Sequence, residues 1–449
     1  MRRTILSILF LACFTVNAAM QPNIVLIFVD DLGYADVGYQ GCSDVATPHI
    51  DSIAHNGIRF PAGYVTAPVC GPSRAALLTG RYQQEFGFED NPGPFRQSAE
   101  TRIGIPFDVP TIGEIFKQAG YRTAWIGKHH SGKESDNNPM HRDFDVFFGF
   151  LDGALGYFVG DNKKGELLRG LEPVAYESEY LTDAFTREAI HFIEDSKDAP
   201  FMLYLPYNAV HSPMDATEDL LKKYAHIEHE GRRQFAAMLD SMDSNIGRVL
   251  DTLKAQGLYE NTLVFFISDN GGAEDKSNYS YNDPLRGLKS SMYEGGIRVP
   301  FALQWPAQIK PATFEAPVCT IDVIPTALAA AGVTPAPELQ LRGRNLLPYF
   351  AADAPEFEDR YLYWRFMHGH VIRNHEWKLV RPWGGRDFIA TDAWELYHIS
   401  EDISESNNVI EQYPEIAAQL RTAWESWSAS LMPAQWGWQP DLCGSYKVD

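Results

Sequence analysis

The chain has 449 residues, of which 45% are hydrophobic and 22% are charged, proportions typical of globular proteins. Its formal net charge of −21 argues against nucleic acid or an anionic membrane surface as a partner. A chain of this length is too large for one simple hydrophobic core, so we expect one large and one small domain. An anionic ligand would need a locally basic pocket in this acidic surface.

Residues 1–19 have the pattern of a secretory signal. Arg2 and Arg3 precede a short apolar stretch at residues 5–16, and small residues suited to cleavage follow. The stretch is too short to span a membrane, and no other segment predicts a span. We therefore expect a secreted, periplasmic or extracellular protein. Cys13 should be removed with the signal rather than lipidated.

Four continuous apolar runs alternate with helical patterns in the next part of the chain. Strands that are apolar throughout are typical of a parallel sheet buried on both faces. The alternation predicts an α/β fold with a large mixed, mostly parallel sheet between helices. The apolar runs lie at residues 23–29, 121–126, 201–205 and 262–267, and the predicted helices at residues 48–56, 110–119, 179–195, 234–256 and 322–331.

Polar side chains follow each apolar run, at the edge of the sheet where ligands bind in open α/β folds. Two acids after a strand often form only a turn, and a single histidine is often structural. The repetition at four strand ends makes a shared site the better interpretation. The residues are Asp30 and Asp31, Lys128 and His130, His211, and Asp269 and Asn270.

The remaining chain predicts a second, smaller unit. Residues 132–171 have an irregular, aromatic-rich composition and predict an ordered insertion. Residues 335–355 are rich in turn formers, so we place the catalytic domain at residues 20–345 and the C-terminal subdomain at 346–449. Strands in succession with one helix predict a small antiparallel α+β unit. Its strands are expected at residues 361–366, 370–373, 377–380 and 395–398, and its helix at 410–431.

Cys70 begins the segment Cys70-Gly71-Pro72-Ser73-Arg74, which leads into a short helix that residues 75–79 continue. Proline suits the first helical turn, and helix starts favour bound anions. Arg74 adds a planar charge suited to an oxyanion. By itself this pattern describes an anion site with a sulfur, although a free cysteine is more often a small buried apolar group.

Hard oxygen ligands dominate the two acidic strand ends. Asp30, Asp31, Asp269 and Asn270 suit Ca²⁺, or Mg²⁺, better than the metals that prefer sulfur or imidazole. Because three carboxylates leave such a site slightly negative, an anionic substrate would need additional cations. Arg74, Lys128 and Lys289 are the candidates.

These motifs together resemble those of the type I, formylglycine-dependent sulfatases of the alkaline phosphatase superfamily, along nearly the whole chain. They include Asp30-Asp31, Cys70-Gly71-Pro72-Ser73-Arg74, Gly127-Lys128-x-His130, His211-Ser212-Pro213, Asp269-Asn270-Gly271-Gly272, and residues 285–289 and 294–300. The resemblance implies an alkaline-phosphatase-like fold and hydrolysis of sulfate esters. It also implies a maturation enzyme that oxidises Cys70 to formylglycine, whose hydrated aldehyde is the nucleophile.

The same resemblance implies roles for individual residues. Asp30, Asp31, modified Cys70, Asp269 and Asn270 would bind Ca²⁺. Arg74 and Lys128 would hold the formylglycine, and Lys128, His211 and Lys289 would contact sulfate. Asp269 would help to deprotonate the nucleophile, His211 would protonate the leaving group, and His130 would accept the proton of the second hydroxyl. One departure is His129, where the family usually has tryptophan, and it could reshape the leaving-group side.

The cysteines exclude a disulfide scaffold. If Cys13 is removed and Cys70 is modified, three of the five cysteines remain, and they allow at most one bridge. The sequence does not select a pair among Cys42, Cys319 and Cys443, and it does not indicate the oligomeric state.

The substrate is open at this stage. Residues 89–96 are similar to a segment of carrageenan sulfatases, which favours a sulfated galactan over glycosaminoglycan, ulvan or fucoidan. Candidate sugar contacts are His368, Arg381, Trp383 and Arg386, although ordinary surface explains them equally well. A phosphate or phosphonate ester hydrolase and a catalytically silent glycan-binding relative are the alternatives to a sulfatase.

Overall fold

The computed structural model describes residues 21–93, 102–132, 135–158, 165–174, 178–384 and 389–437. The strands in these residues are β1 (Asn23–Val29), β2 (Ile58–Arg59), β3 (Gly63–Tyr64), β4 (Arg122–Lys128), β5 (Val146–Phe150), β6 (Leu168–Arg169), β7 (Glu172–Pro173), β8 (Phe201–Pro206), β9 (Thr262–Ser268), β10 (Phe301–Gln304), β11 (Ala312–Thr313), β12 (Val318–Cys319), β13 (Leu362–Phe366), β14 (Gly369–Arg373), β15 (Trp377–Arg381), β16 (Trp383–Gly384), β17 (Ile389–Ala390) and β18 (Glu395–His398). The α-helices are α1 (Pro48–His55), α2 (Cys70–Thr79), α3 (Ile112–Gln118), α4 (Leu181–Asp195), α5 (Glu218–Lys223), α6 (Glu230–Ala255), α7 (Asp275–Asn278), α8 (Glu294–Ile297), α9 (Val323–Ala330) and α10 (Pro414–Ala429).

The large sheet has the strand order β11-β2-β10-β9-β1-β8-β4-β5-β6-β7. Its centre is parallel: β1 pairs with both β8 and β9, and β4 pairs with β8 and β5. Strands β10, β6 and β7 pair antiparallel, so the sheet is mixed towards both edges. The prediction of a large mixed, mostly parallel sheet is confirmed.

Helices cover both faces of this sheet because its central strands are apolar on both sides. Val25, Ile27 and Val29 of β1 face the core beneath α1, α4 and α6. Ile24 and Leu26 face the opposite core beneath α2, α3 and α9. The two layers fix the direction of the central strands, whose carboxyl ends then meet at one edge.

The C-terminal unit is a four-stranded antiparallel sheet in the order β13-β14-β15-β18. Helix α10 packs on one face, where Leu420 and Trp424 contact Ile372 and Leu379. The other face packs on the large unit through a core that contains Trp364. The predicted antiparallel subdomain is confirmed, and the boundary at 345/346 stays a prediction.

The segment predicted to be irregular contains a strand of the main sheet. β5 lies within residues 132–171 and pairs parallel with β4 along its whole length. The sequence around β5 is rich in Phe, Gly and Asp, and it shows neither an alternation of apolar and polar residues nor a long apolar run. β5 is a strand because it pairs with β4. The helix expected to continue through residues 75–79 begins at Cys70 itself.

No helix among the described residues is long and apolar enough to cross a membrane. Cys42 and Cys319 are both free thiols. Cys13 and Cys443 lie outside the described residues, as does the predicted signal.

Candidate active site

Helix α2 places Cys70 in its first turn, and all ten of its residues are buried. Val69 is extended before it, and Gly80 ends it with a positive φ of 66°. The Gly71 N–H donates to Asn91 Oδ1 at 2.8 Å, which ties the helix start to the following loop. Burial raises the pKa of the Cys70 thiol, with the Asp269 carboxylate adding to the effect. The unmodified sulfur is therefore a neutral thiol and a poor nucleophile.

The register of β1 and β9 brings the two acidic strand ends together. Val29 pairs with Ser268, so Asp30 and Asp269 leave neighbouring strands at the same level. The Asp31 N–H donates to Asp269 Oδ1 at 3.2 Å. The structure thus joins residues 238 positions apart, as the sequence predicts.

Asp30 is surrounded by the predicted nucleophile and two cations. Lys128 Nζ lies 2.5 Å from Asp30 Oδ2, and Arg74 Nη2 lies 3.8 Å from the same oxygen. Cys70 Sγ lies 3.5 Å from Asp30 Oδ1. The three charged side chains are completely inaccessible to solvent. An ion pair in such surroundings persists only because each charge has a close partner.

Arg74 and Asp269 form the second buried pair. Nε and Nη2 of Arg74 donate to Asp269 Oδ2 at 3.0 and 2.7 Å. Burial and the nearby Asp30 carboxylate nevertheless raise the pKa of Asp269 to about 6. A divalent cation beside these acids would favour their charged forms.

Asp31 adopts a left-handed backbone conformation with φ 59°, and its carboxylate contacts three side chains. Lys289 Nζ lies 2.7 Å from Oδ1, Asn270 Nδ2 donates to Oδ1 at 2.7 Å, and His211 Nε2 lies 3.7 Å from Oδ2. Burial alone would raise the pKa of Asp31. The Lys289 and His211 charges and the hydrogen bonds from Lys289 and Asn270 outweigh burial and hold it well below its usual range.

The donor atoms fit a divalent cation. In the part of the chain that the structure describes, ligand atoms of Asp30, Asp31, Cys70 and His211 lie within 4.8 Å of one another. Oxygen ligands of Ca²⁺ lie at about 2.3–2.6 Å, so donors on opposite sides of an ion are separated by about this span. Asn270 Oδ1 is buried and has no hydrogen-bond partner among the residues that the structure describes, as expected of an oxygen held for a cation.

This group differs from the predicted set of metal ligands at two residues. His211, predicted from the resemblance to contact substrate, also borders the metal group. Asp269 is outside that group, and both of its oxygens already accept hydrogen bonds from protein. Its role as a metal ligand stays a prediction.

His130 has an unusual environment. Its backbone has φ 52°, and its Nδ1 is buried without a partner among the described residues. Burial and the Lys128 charge lower its pKa well below the usual value, which keeps the ring neutral. Gly153 makes room for the ring, because a Cβ there would lie 2.6 Å from His130 Nε2.

His211 and Lys289 form the opening of the site. Their side chains are 18% and 17% exposed, whereas Asp30, Arg74 and Lys128 are fully enclosed. Tyr157 Oη lies 3.0 Å from the His211 carbonyl oxygen and holds the loop. Burial and the charges of Lys289 and Lys128 lower the pKa of His211 to about 3. These two partly exposed side chains are therefore the site groups described above that an anion would meet from the solvent.

His129 lies away from this opening. The His129 residue is only 4% exposed, and its ring packs against Trp125 at a tilt of 36°, with ring centroids 4.7 Å apart. The Ser131 N–H donates to its Nδ1 at 3.3 Å. The ring is therefore part of the core, and its effect on the leaving-group side stays a prediction.

The structure adds supporting residues that no sequence pattern indicated. Asn278 Nδ2 donates to the Asp31 carbonyl at 2.8 Å and lies 3.2 Å from the Val210 carbonyl, which joins two site loops. Three further residues support the site through partners distant in sequence: Asn91 contacts Gly71, Gly153 lies against His130, and Tyr157 contacts His211.

The candidate sugar contacts have mixed surroundings. Trp383 is 8% exposed and packs on the His368 ring at 4.7 Å. Its carbonyl accepts from the Met292 N–H at 3.3 Å, which places β16 beside the segment carrying Lys289. Arg381 pairs with Asp392, and Arg386 lies outside the described residues.

Comparison with known proteins agrees with this geometry. The sulfatase family model matches residues 22–333, and the model of the N-sulphoglucosamine sulphohydrolase C-terminal region matches residues 288–429. A sulfatase of Formosa agariphila is 30% identical, with 92% of this chain and 89% of that protein covered. Human N-acetylgalactosamine-6-sulfatase is 33% identical over 74% of this chain and 66% of its own length, so this chain spans about two thirds of that relative.

Among solved structures, Ps i-CgsB in complex with k-i-k-neocarrahexaose is 33% identical and has a TM-score of 0.85. The match covers 94% of this chain and 96% of that one. Sulfatases generally use formylglycine and a divalent metal, and the candidate metal group described above is compatible with the metal. The chain belongs to the sulfatase family, whose members are sulfuric ester hydrolases.

Proposed function

We propose that this protein removes sulfate from a sulfated polysaccharide or oligosaccharide, a carrageenan-type galactan being the first candidate. The observation that supports this most directly is the pairing of three cations, two of them fully buried, with three carboxylates around Cys70. Arg74, Lys128 and Lys289 balance Asp30, Asp31 and Asp269. A divalent cation added to a balanced group makes the site positive, which favours a sulfate ester over a neutral ligand.

The residues that would hold Ca²⁺ are Asp30, Asp31, Asn270 and modified Cys70, with Asp269 or His211 completing the set. The bound ion would offset charge on the sulfuryl oxygens, and formylglycine at Cys70 would supply the nucleophile. Mg²⁺ is the alternative ion.

The chain's own side chains then orient the sulfate and move protons. Lys128 and Lys289 are positioned to bind sulfuryl oxygens, and Arg74 fixes Asp269 beside the nucleophile. Asp269 would accept the proton of the attacking hydroxyl. His211, at the opening, would donate a proton to the leaving alcohol after a bound sulfate offsets the Lys289 and Lys128 charges that lower its pKa. His130 would accept a proton at Nδ1, which has no partner among the described residues.

The carrageenan proposal draws support from similarity to a protein crystallised with a neocarrahexaose. Similarity to N-acetylgalactosamine-6-sulfatase keeps glycosaminoglycans as the second candidate. The loop that would distinguish them begins at Glu89 and passes Asn91 at the nucleophile helix. A catalytically silent relative is disfavoured because Cys70, Lys128 and Lys289 are all retained at one site.

Release of inorganic sulfate from kappa- and iota-carrageenan, chondroitin sulfate, heparan sulfate, ulvan and fucoidan tests the proposal. The protein should be co-expressed with a formylglycine-generating enzyme, and Cys70→Ala should serve as the control. Sulfate release from a carrageenan that the control lacks supports the proposal. Phosphate release from phosphate monoesters without sulfate release from any polymer would favour a phosphate or phosphonate ester hydrolase.

Secretion and maturation are part of the same proposal. The basic and apolar pattern of residues 1–19 supports export to the periplasm or the exterior. Mass analysis of the protein recovered from the producing cells would locate the new N-terminus. Retention of residues 1–19 in the recovered protein would contradict it.

A further inference from the structure

A cavity of about 580 Å³ lies between the large unit and the C-terminal sheet, and its lining is unusually basic. We call it the arginine cleft and define it by Arg81, Arg342, Arg344, Arg360, Tyr363 and Trp427. It contains none of the residues assigned above to metal, nucleophile or sulfate.

The charge of the arginine cleft is opposite to that of the chain. Within the described ranges, its four guanidinium groups form ion pairs with two carboxylates, Glu85 and Asp322. Arg81 and Arg342 share Glu85, with nitrogen–oxygen distances of 2.9 and 2.6 Å. Arg360 Nη1 lies 2.7 Å from Asp322 Oδ1. The cleft therefore has a local excess of positive charge on a protein of formal net charge −21.

Arg344 supplies the least compensated of these charges. Its guanidinium donates to the backbone carbonyl of Glu358, and within the described residues no carboxylate forms an ion pair with it. Nε of Arg360 is likewise buried without a hydrogen-bond partner in that part of the chain. Planar guanidinium groups with spare N–H donors match the oxygens of a sulfate or carboxylate.

Aromatic rings complete the lining. Trp427 stacks on Tyr363 with ring centroids 4.9 Å apart, and Tyr361 packs edge-on against Tyr363 at 6.2 Å. All three rings are half-buried, so part of each remains accessible. Accessible rings beside cations provide apolar faces for sugar rings and charged groups for their substituents. A small inorganic anion would use only the cations.

The arginine cleft is remote from Cys70 but connected to it. Arg81 follows the C-terminal end of α2, and the ten residues of that helix span about 15 Å. A second cavity of about 740 Å³ shares Arg81 and Glu85 and extends to Trp436. Trp436 Nε1 donates to the Asp90 carbonyl, next to Asn91 at the start of α2. An extended polymer could follow this groove, whereas one sugar unit could not occupy both ends.

We propose that the arginine cleft is a second binding site for a sulfate-bearing segment of the same glycan chain whose ester is hydrolysed at Cys70. This inference rests on the proposed function, because it takes a sulfated glycan as the ligand. The cleft would retain the enzyme on polymer without taking part in hydrolysis.

Affinity electrophoresis through gels containing iota-carrageenan tests binding without turnover when the full chain carries Cys70→Ala. In this background, Arg342→Gln with Arg344→Gln should weaken retention at least about fivefold. Arg169→Gln with Arg248→Gln is the matched control, because these exposed arginines form ion pairs elsewhere. The control pair should migrate like the parent in gels that contain iota-carrageenan. Gels that contain desulfated polymer should retard neither the parent nor the control pair. Equal mobility shifts for the cleft pair and the parent would overturn the proposal.

A second variant avoids loss of the Arg342–Glu85 pair. Ser430 is exposed and lines the cavity, so Ser430→Glu adds a negative charge with little packing change. Thr422→Glu, two turns earlier on the same helix, is its control. Retention should weaken for Ser430→Glu alone. Equal weakening by both variants would mean that only overall charge matters and would also overturn the proposal.

Activity separates this inference from the proposed function. With Cys70 intact, Arg342→Gln with Arg344→Gln should lower kcat/KM on the polymer and leave that on a sulfated disaccharide unchanged. The parent could be retained by the polymer, and the cleft variants could lose this retention, while no ester releases sulfate. That result would support the cleft as a binding site and contradict the proposed function. Equal losses on polymer and disaccharide would contradict a separate binding site.

Discussion

Lys289 Nζ lies 2.7 Å from Asp31 Oδ1, although 258 positions separate the two residues. The contact joins a predicted sulfate-binding cation to a predicted metal ligand at the opening of the site. We therefore expect the lysine both to bind the sulfate of the substrate and to reduce the negative charge around a bound metal ion.

Lys289→Ala should lower kcat/KM about a hundredfold or more, since it removes a cation directed at the developing charge. It should not weaken Ca²⁺ binding, because the carboxylate of Asp31 loses a competing positive charge. Asp31→Asn is the matched variant and should weaken Ca²⁺ binding strongly. Calorimetric titration of both apo variants with Ca²⁺, together with sulfate release, measures the two effects. Loss of Ca²⁺ affinity in Lys289→Ala would contradict this division of roles.

Asn91 should be important for turnover, because its side chain accepts a hydrogen bond from the Gly71 N–H beside Cys70. Asn91→Ala removes the acceptor at the helix start, which costs about 1 kcal/mol, and kcat should fall about fivefold. Asn91→Asp keeps an acceptor and should recover most of the rate. Steady-state kinetics on one oligosaccharide with both variants makes the comparison. Equal losses in the two variants would assign the effect to something other than this hydrogen bond.

Gly153→Ala should act through His130. The added Cβ would lie 2.6 Å from Nε2, and the buried ring has little room to move. We expect at least about a tenfold loss of kcat, which is part of the roughly 10²–10⁴-fold that a well-placed proton-transfer group contributes.

A double-mutant cycle with His130→Ala isolates this effect. If Gly153→Ala only displaces His130, it should cost little further activity in the His130→Ala background. Additive losses would show that Gly153 acts independently of the histidine.

Glu405 should make the stability of the protein depend on pH. It lies in a buried cluster in which Lys378 Nζ is 2.7 Å from Glu405 Oε1 and 2.9 Å from Glu294 Oε1. Burial raises the pKa of Glu405 from 4.5 to about 7, despite the attraction of Lys378. The folded chain therefore retains a proton that the unfolded chain releases in this interval. The resulting stability is complete below about pH 4.5 and is lost as the pH rises through about 7.

Glu405→Gln cannot titrate, so it provides the comparison. The free energy of unfolding of the parent should decline relative to that of the variant between pH 4.5 and pH 8. Urea unfolding at several pH values in this range, monitored by tryptophan fluorescence, gives both curves. A constant difference between parent and variant would show that Glu405 has the same pKa in the folded and unfolded states.

The sequence predicted the centre of the fold because its physical signals are local. Continuous apolar runs mark β1, β4, β8 and β9, and polar residues at their ends indicate a common edge. β5 was missed because its order comes from pairing with β4, which a short Phe-rich segment does not reveal. The start of α2 at Cys70 likewise depends on burial and on Asn91, a partner twenty positions away.

Within the site, residue types were predictable and their orientations were not. Asp31 and His130 have left-handed backbones that neither residue type indicates. His129 appeared in a catalytic motif, yet its ring is buried and packs at a tilt against Trp125 in the core. Gly153 has no motif of its own, since its importance comes from the ring that occupies the adjacent space.

The most direct test of the central claim is the mass of the peptide containing Cys70, measured on a sample with assayed sulfate release. After maturation, we expect a loss of about 18 Da at Cys70, the change from thiol to aldehyde, in proportion to the release of sulfate from carrageenan. Full sulfate release by protein whose Cys70 remains a thiol would contradict the proposed nucleophile and the account of the site built around it.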